Sequence, residues 1–224
     1  MDTKYNVISS NVEHDITQLN TDHGRFYKTP QGKVYPSSTT IVHLLNKKAI
    51  EQWEASIGKQ QAEQIKQKAA ENGSRWHKLM EDTLEYGKQT LSYVDKFYRA
   101  YAKIYKEIFP RIGHVYAVER RMYSDELEVA GTADLIAEYD GVCSIVDWKT
   151  TSRYKSANDV TSYWCQLASY VVMAKERLDL DVKQIVLVFN DNDVSIYTLK
   201  DSRVDMWIEN FKKLRLKYKQ LYGE

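Results

Sequence analysis

Two aspartates and a lysine carry the clearest chemical signal in the chain. Asp134 lies in the run Ala130-Gly131-Thr132-Ala133-Asp134-Leu135-Ile136-Ala137-Glu138-Tyr139, and Asp147 and Lys149 lie in Val142-Cys143-Ser144-Ile145-Val146-Asp147-Trp148-Lys149. Both runs are rich in β-branched and apolar residues, and the Asp140-Gly141 between them is the sequence of a two-residue hairpin turn. With that turn Tyr139 faces Val142, and Asp134 comes to face Asp147. Opposed side chains of a hairpin have Cβ atoms about 4.5–5.5 Å apart, and like charges there repel. Lys149, two residues past Asp147, points to the same face because side chains alternate along a strand. Two carboxylates and an ammonium at one spot suit a hard divalent cation with oxygen ligands. A lone Asp-x-Lys is ordinarily a solvated strand face; the registered Asp134 sets this one apart.

Such a hairpin needs a frame to hold it. At 224 residues with 43% hydrophobic content, the chain can bury a real core, and one compact α/β domain with helical additions is expected. A net charge of +1 excludes a globally basic DNA-packaging protein, so any nucleic-acid partner must be held by local patches. The first twenty residues have neither the apolar run of a signal peptide nor the Arg-rich composition of a transit peptide, and no stretch is long and apolar enough to span a membrane. A cytoplasmic location is the expectation. Two cysteines, Cys143 and Cys165, suit a reducing compartment as small core residues and are too few for a four-thiolate cluster or a zinc finger.

Along the chain, residues 1–24 read as a loose arm, and Phe26 to Tyr35 as a small hairpin turning at Pro30-Gln31-Gly32. Ser37 or Ser38 caps a helix carrying Ile41, Val42, Leu44 and Leu45. Residues 49–70 form a helical stretch with a wide wet face, whose Lys59, Lys66 and Lys68 are either solvated or line a nucleic-acid channel. Asn72-Gly73 interrupts, and Ser74 caps a new helix from Arg75 to about Tyr86 on which His77 and Glu81, four apart, share a face. Ser92 to Phe109 repeats a helical pattern with an apolar and aromatic core stripe.

His114 to Tyr123 has strand chemistry. Glu119 on it is either a carboxylate supporting the metal or the partner of Arg120 and Arg121 on a wet face. After the central hairpin, Thr150-Thr151-Ser152-Arg153 leaves the strand as a polar loop. A helix from about Val160 to Arg177 carries Gln166, Leu167, Tyr170, Val171 and Ala174 on or near one face. Gln184 to Phe189 and Val194 to Leu199 form a second hairpin, and Asp201 to about Leu221 is a last helix with a basic run at Lys212, Lys213, Arg215, Lys217 and Lys219. That run is either a solvated face or a phosphate contact.

Taken in order, the helix with His77 and Glu81, the strand with Glu119, Gly131-x-x-Asp134, Asp147-x-Lys149 and Gln166-x-x-x-Tyr170 resemble the PD-(D/E)xK nuclease superfamily. Within it they resemble the RecB-type exonuclease domains, and the arrangement is similar to mitochondrial genome maintenance exonucleases and their phage and bacterial relatives. Pro36-Ser37-Ser38-Thr39-Thr40 matches a segment that also occurs there. The resemblance spans about residues 35–177. It departs from many relatives in having Asp rather than Glu at Asp147, and from the iron-sulfur members in lacking their cysteine quartet, so no iron-sulfur cluster is expected.

The resemblance implies a restriction-endonuclease-like α/β core, a central mixed sheet flanked by helices, over residues 111–200 of a single 1–224 nuclease domain. N-terminal hairpin and helices (25–110) and a C-terminal helix (201–224) complete it. It implies a DNA exonuclease dependent on one or two Mg²⁺ or Mn²⁺ ions, acting on single-stranded DNA or DNA ends in replication, recombination or repair, with a recombination or replication protein as a potential partner. Asp134, Asp147, the backbone carbonyl of Trp148 and His77 then ligate metal, with Glu81 and Glu119 as secondary carboxylates for a second ion or a water. Lys149 orients the attacking water and offsets transition-state charge, and its pKa can be lowered near a metal. Gln166, Tyr170, Arg75, Trp76, Lys78, Thr150 and Arg153 are the substrate-binding candidates, exposed rings beside cations being suited to single strands. Tyr170 and Trp76 have core packing as their alternative. A structure-specific or restriction-like endonuclease, a catalytically inactive nucleic-acid-binding module, and an unrelated α/β protein remain open from residues alone.

Overall fold

The structure, a computed structural model, describes residues 16–152, 154–190 and 193–223. Its centre is a five-stranded sheet in the order β4 (Ile112–Ser124), β5 (Val129–Tyr139), β6 (Val142–Thr150), β7 (Gln184–Asn190), β8 (Val194–Lys200). Neighbours are antiparallel except β6 and β7, which run parallel. A parallel neighbour requires a crossover, supplied by helix α4 (Thr161–Leu178). All seven residues of β7 are buried, as expected of a strand covered on both faces.

Strand alternation sorts the core into two layers. Ile185, Leu187 and Phe189 pack with Ile136, Ile145 and residues of α4, of α1 (Ser38–Ile57) and of α5 (Ser202–Tyr222). Val186 and Val188 point the other way, toward Leu135, Val146 and Trp148, and meet Trp76, Met80 and Leu84 of α2 (Lys59–Tyr86) and Tyr101 and Ile104 of α3 (Tyr98–Glu107). Helices thus cover both faces of a mixed sheet, the layered α/β solution for burying two apolar faces. No helix among the described residues is long and apolar enough to cross a membrane.

A second sheet, β1 (Thr17–Thr21), β2 (Gly24–Lys28) and β3 (Val34–Pro36), stands beside the first. Tyr27 and Tyr35 pack with Tyr123 and Ala130 of the large sheet, and Tyr35 donates a hydrogen bond to Asp125 at 2.8 Å.

Three expectations are corrected. The expected loose arm of residues 1–24 contains β1, whose polar sequence carries no apolar alternation because it is a largely exposed edge strand; residues 1–15 lie outside the described residues. The helix break is at Gly58, whose φ of +86° requires glycine, and not at Asn72-Gly73. An interior glycine costs a helix only about 1 kcal/mol, less than burying Trp76, Met80 and Leu84 just downstream returns. The helix expected from Ser92 starts at Tyr98.

Candidate active site

The hairpin is built as its sequence dictates at the turn. Asp140 and Gly141 both have positive φ, 53° and 76°, the requirement of a type I′ turn, and the register runs from Tyr139↔Val142 to Leu135↔Val146. There the pairing ends, one couple short of Asp134 and Asp147. In place of a backbone carbonyl, the Asp134 carboxylate accepts the Trp148 N–H at 2.9 Å. An extended residue points its N–H and C=O to the same side, which puts the Trp148 carbonyl on the β5 side of the strand. The Trp148 side chain is buried in the opposite layer, stacked on Phe109 at 6.1 Å.

The β4–β5 ladder is interrupted beside it. Pairing passes from Val118↔Leu135 to Arg120↔Ala133 and skips Glu119, which adopts a left-handed φ of 46°. That backbone is uncommon for Glu and costs on the order of 1 kcal/mol or more, a strain found preferentially at functional sites. Glu119 Oε1 lies 3.6 Å from His77 Nδ1, which in turn is 3.3 Å from Asp134 Oδ2. His77, Glu119 and Asp134 each offer a ligand atom, all within 4.8 Å of one another. Asp147, fully buried, is instead engaged by Lys149, whose Nζ is 2.9 Å from Oδ1 and 2.7 Å from Oδ2.

Electrostatics set these groups against one another. Burial, with the Asp134 charge adding to it, raises Asp147 to about 7 even though Lys149 opposes. Burial also raises Glu119, against the His77 hydrogen bond. Burial would lower His77, but the Asp134 charge and hydrogen bonds to Asp134 and Glu119 bring it up to about 10. Asp134 is the exception: burial works against it, yet His77, Lys149 and the Trp148 N–H hold it below the usual carboxylate range. Lys149 is also disfavoured by burial, and the Asp147 and Asp134 charges more than reverse this and raise it. Those two charges hold Lys149 as an ammonium.

This donor set fits a divalent cation. Two carboxylates, Glu119 and Asp134, and the His77 imidazole present ligand atoms to one point, and the carboxylate oxygens are the donors a hard divalent cation takes. Asp147 Oδ2 is buried and its contact is the Lys149 ammonium at 2.7 Å, an ion pair outside hydrogen-bond geometry.

The site opens into a cleft of about 530 Å³ lined by His77, Lys78, Glu81, Glu119, Asp134, Lys149, Gln166 and Tyr170 among others. Gln166 Nε2 donates to the Tyr170 hydroxyl at 2.9 Å, one helical turn away. Gly131 makes room for that ring: a Cβ there would stand 2.5 Å from Tyr170 Cε1. Tyr170 is therefore both core and cleft floor. Glu81 shares the His77 face as its spacing requires, and it is paired with Lys78 at 3.2 Å. Lys78 is also held by Asp82 at 3.0 Å.

Other candidates are placed elsewhere. Trp76 is fully buried and packs on Phe97 at 5.1 Å, so of its two readings the core plug is the one in the structure. Arg75 pairs with Asp95 and lies over Phe97. Thr150 ends β6 opposite Asn190, and Arg153 lies outside the described residues. The basic run of α5 is largely spent within the protein: Lys212 pairs with Glu126 at 3.0 Å, and Arg215 and Lys219 with Glu128 at 3.4 and 2.7 Å. Sequence reading missed Gln18, Arg25, Arg121 and Thr132, which line the cleft. Gln18 and Arg25 sit on strands β1 and β2, and Arg121 was read only as an ion-pair partner of Glu119. Ser37 and Thr39 also line it, and the Pro-Ser-x-Thr-Thr segment was their signal.

The family model of the PD-(D/E)XK nuclease superfamily matches residues 25–219. The chain belongs to that superfamily, whose fold this mixed sheet with flanking helices represents. No curated protein matches. Among solved structures, the chain is similar to SSO0001, at 11% identity over 75% of this chain and 70% of that one with a TM-score of 0.36. It is also similar to a phage-related exonuclease from Haemophilus somnus 129PT, at 12% identity over 66% of this chain and 81% of that one with a TM-score of 0.34.

Proposed function

We propose that this chain is a Mg²⁺- or Mn²⁺-dependent DNA exonuclease of the RecB-type branch, hydrolysing phosphodiester bonds of single-stranded DNA or DNA ends. The observation that carries this reading is the cluster of His77, Glu119 and Asp134 with ligand atoms within 4.8 Å of one another, beside the buried Asp147–Lys149 pair. The branch is supported by the position of His77 on a helix flanking the sheet and of Gln166 and Tyr170 on the helix opposite, all lining one cleft.

Asp134, His77 and Glu119, with Asp147 and the Trp148 carbonyl, would hold one or two ions. A divalent cation supplies charge neutralisation at the scissile phosphate and a more acidic bound water. Lys149, kept as an ammonium by Asp147, donates to the attacking water and offsets charge that develops on phosphate oxygens. Arg121 and Arg25 on the cleft wall attract the phosphate backbone, and Gln166 presents its amide beside the Tyr170 hydroxyl.

The test is digestion of end-labelled linear DNA, single- and double-stranded, with each metal and with chelator. Metal-dependent loss of label with wild-type protein and none with Lys149→Ala supports the reading; full activity of Lys149→Ala overturns it. A covalently closed circular single strand separates exonuclease from endonuclease, since only the latter cuts it. Calorimetric titration with manganese addresses the inactive-module alternative, which predicts no binding at the cluster.

A further inference from the structure

A second groove, about 540 Å³, adjoins the catalytic cleft and shares Arg25 and Thr39 with it. Beyond them it is lined by His43 and Lys47 of α1 and by Tyr218 and Tyr222 at the end of α5. Helical spacing explains the layout. Thr39, His43 and Lys47 are four residues apart and stand in one row along α1. At 1.5 Å per residue the row covers about 12 Å, the length of about three stacked nucleotides.

Charge and exposure favour a polyanion with flat bases. The groove carries Arg25 and Lys47 against a single acid, Asp22. Neither cation has an ion-pair partner among the described residues, whereas Lys33, Lys78 and Lys212 are each bound to a carboxylate. Tyr222 is held against Tyr218 with ring centroids 4.7 Å apart and is still 48% exposed, a ring positioned in advance for a base to stack on.

We propose that this groove carries the substrate strand onward from the scissile phosphate, with Arg25 and the Thr39, His43, Lys47 row following its phosphates and Tyr222 stacking on a base. Contacts to phosphates and to ring faces read no sequence, so the groove adds affinity for any single strand long enough to reach it. The proposal rests on the nuclease reading above and deepens it.

The test uses Lys47→Glu, Tyr222→Ala and the double variant, with Lys200→Glu on edge strand β8 as a control charge reversal. Single-stranded oligonucleotides of stepwise increasing length are digested in manganese. With wild-type protein and the control, kcat/KM rises with length until the strand spans the groove. In the double variant about tenfold or more of that rise is lost, through KM rather than kcat. An equal length dependence in wild type and double variant overturns the groove and leaves the nuclease reading standing. If wild type cleaves no strand, the nuclease reading is what fails, and fluorescence anisotropy with the same oligonucleotides then decides. Length-dependent binding lost in the double variant keeps the groove, and its absence overturns it. A changed oligomeric state of Tyr222→Ala in gel filtration, with length dependence intact, makes the groove an interface between copies and overturns the proposal.

Discussion

The two ends of the β5–β6 hairpin are made of the same pair of strands and behave as opposites. At the turn, five residue couples pair without interruption, and Arg111 grips Asp140 with two hydrogen bonds at 3.0 and 2.6 Å while lying 4.5 Å over the Tyr139 ring. At the open end the ladder stops, a neighbouring carboxylate sits on left-handed backbone, and a fully buried carboxylate is held by an ammonium. The charges at the turn form one partly exposed pair; those at the open end are largely buried and converge from α2, β4, β5 and β6. Where the β5–β6 pairing stops, the Asp134 carboxylate replaces a backbone acceptor for the Trp148 N–H and meets His77. The intact end and the two helical layers hold the broken end in place.

The largest effect should come from the open end. Asp134→Ala removes the carboxylate that faces His77 and caps the Trp148 N–H. Nuclease activity is expected to fall by about 10²–10³-fold or more, on the scale of losing one preorganised charged group, with the manganese titration heat lost in parallel. The same assay with Asp140→Ala, at the turn, is expected to retain activity. If Asp134→Ala degrades DNA at the wild-type rate, the contrast between the two ends has no catalytic meaning.

Intermediate effects come from the groups that let the open end exist. Gly131→Ala places a methyl 2.5 Å from Tyr170 Cε1, and overpacking against a fully buried ring costs about 1–3 kcal/mol. For a chain of this size that lowers the melting temperature by about 2–4 °C per kcal/mol. Tyr170→Leu in the same molecule should recover part of the loss, a non-additivity that identifies the clash. Glu119→Asn replaces an acid disfavoured by burial with a residue that tolerates left-handed backbone better. Metal-free protein should therefore gain up to about 1 kcal/mol in stability while its manganese affinity falls, the exchange of stability for function expected at a strained site. Lower stability together with unchanged manganese affinity would refute it.

What could be read in the sequence followed how local each feature's cause is. The turn and the hairpin register follow from Asp140-Gly141 and strand alternation, so both were readable, as were the His77–Glu81 and Gln166–Tyr170 faces from helical spacing. The end of the ladder at Asp134 was not, because it depends on where β4 and α2 direct Glu119 and His77. Plain alternation along β4 gives no hint that Glu119 turns its backbone over. The Asn72-Gly73 pair is a strong local stop that burial of Trp76 and Met80 overrides, and Trp76 itself could be assigned to core or surface only once α3 was placed beside it. Strand β1 is polar, and it brings Gln18 to the cleft by pairing rather than by any pattern of its own.

The smallest effect tests whether the turn end is as plain as it looks. Asp140→Asn keeps a residue suited to positive φ and preserves an Asn-Gly turn, so only the charge of the Arg111 ion pair is lost. That pair is substantially exposed on both sides, and exposed pairs contribute about 0–1 kcal/mol. At neutral pH the variant should melt within a few degrees of wild type. The Arg111 hydrogen bonds hold the Asp140 carboxyl below its usual value of 3.8, so the folded state binds this proton less readily than the unfolded state. Its stabilisation is present above pH 3.8 and disappears as the pH falls through the folded-state pKa. The difference in melting temperature between variant and wild type should therefore shrink as the medium is acidified. A difference that persists or grows in acid would mean that Asp140 acts through the turn geometry rather than its charge, and that this end of the hairpin too is under strain.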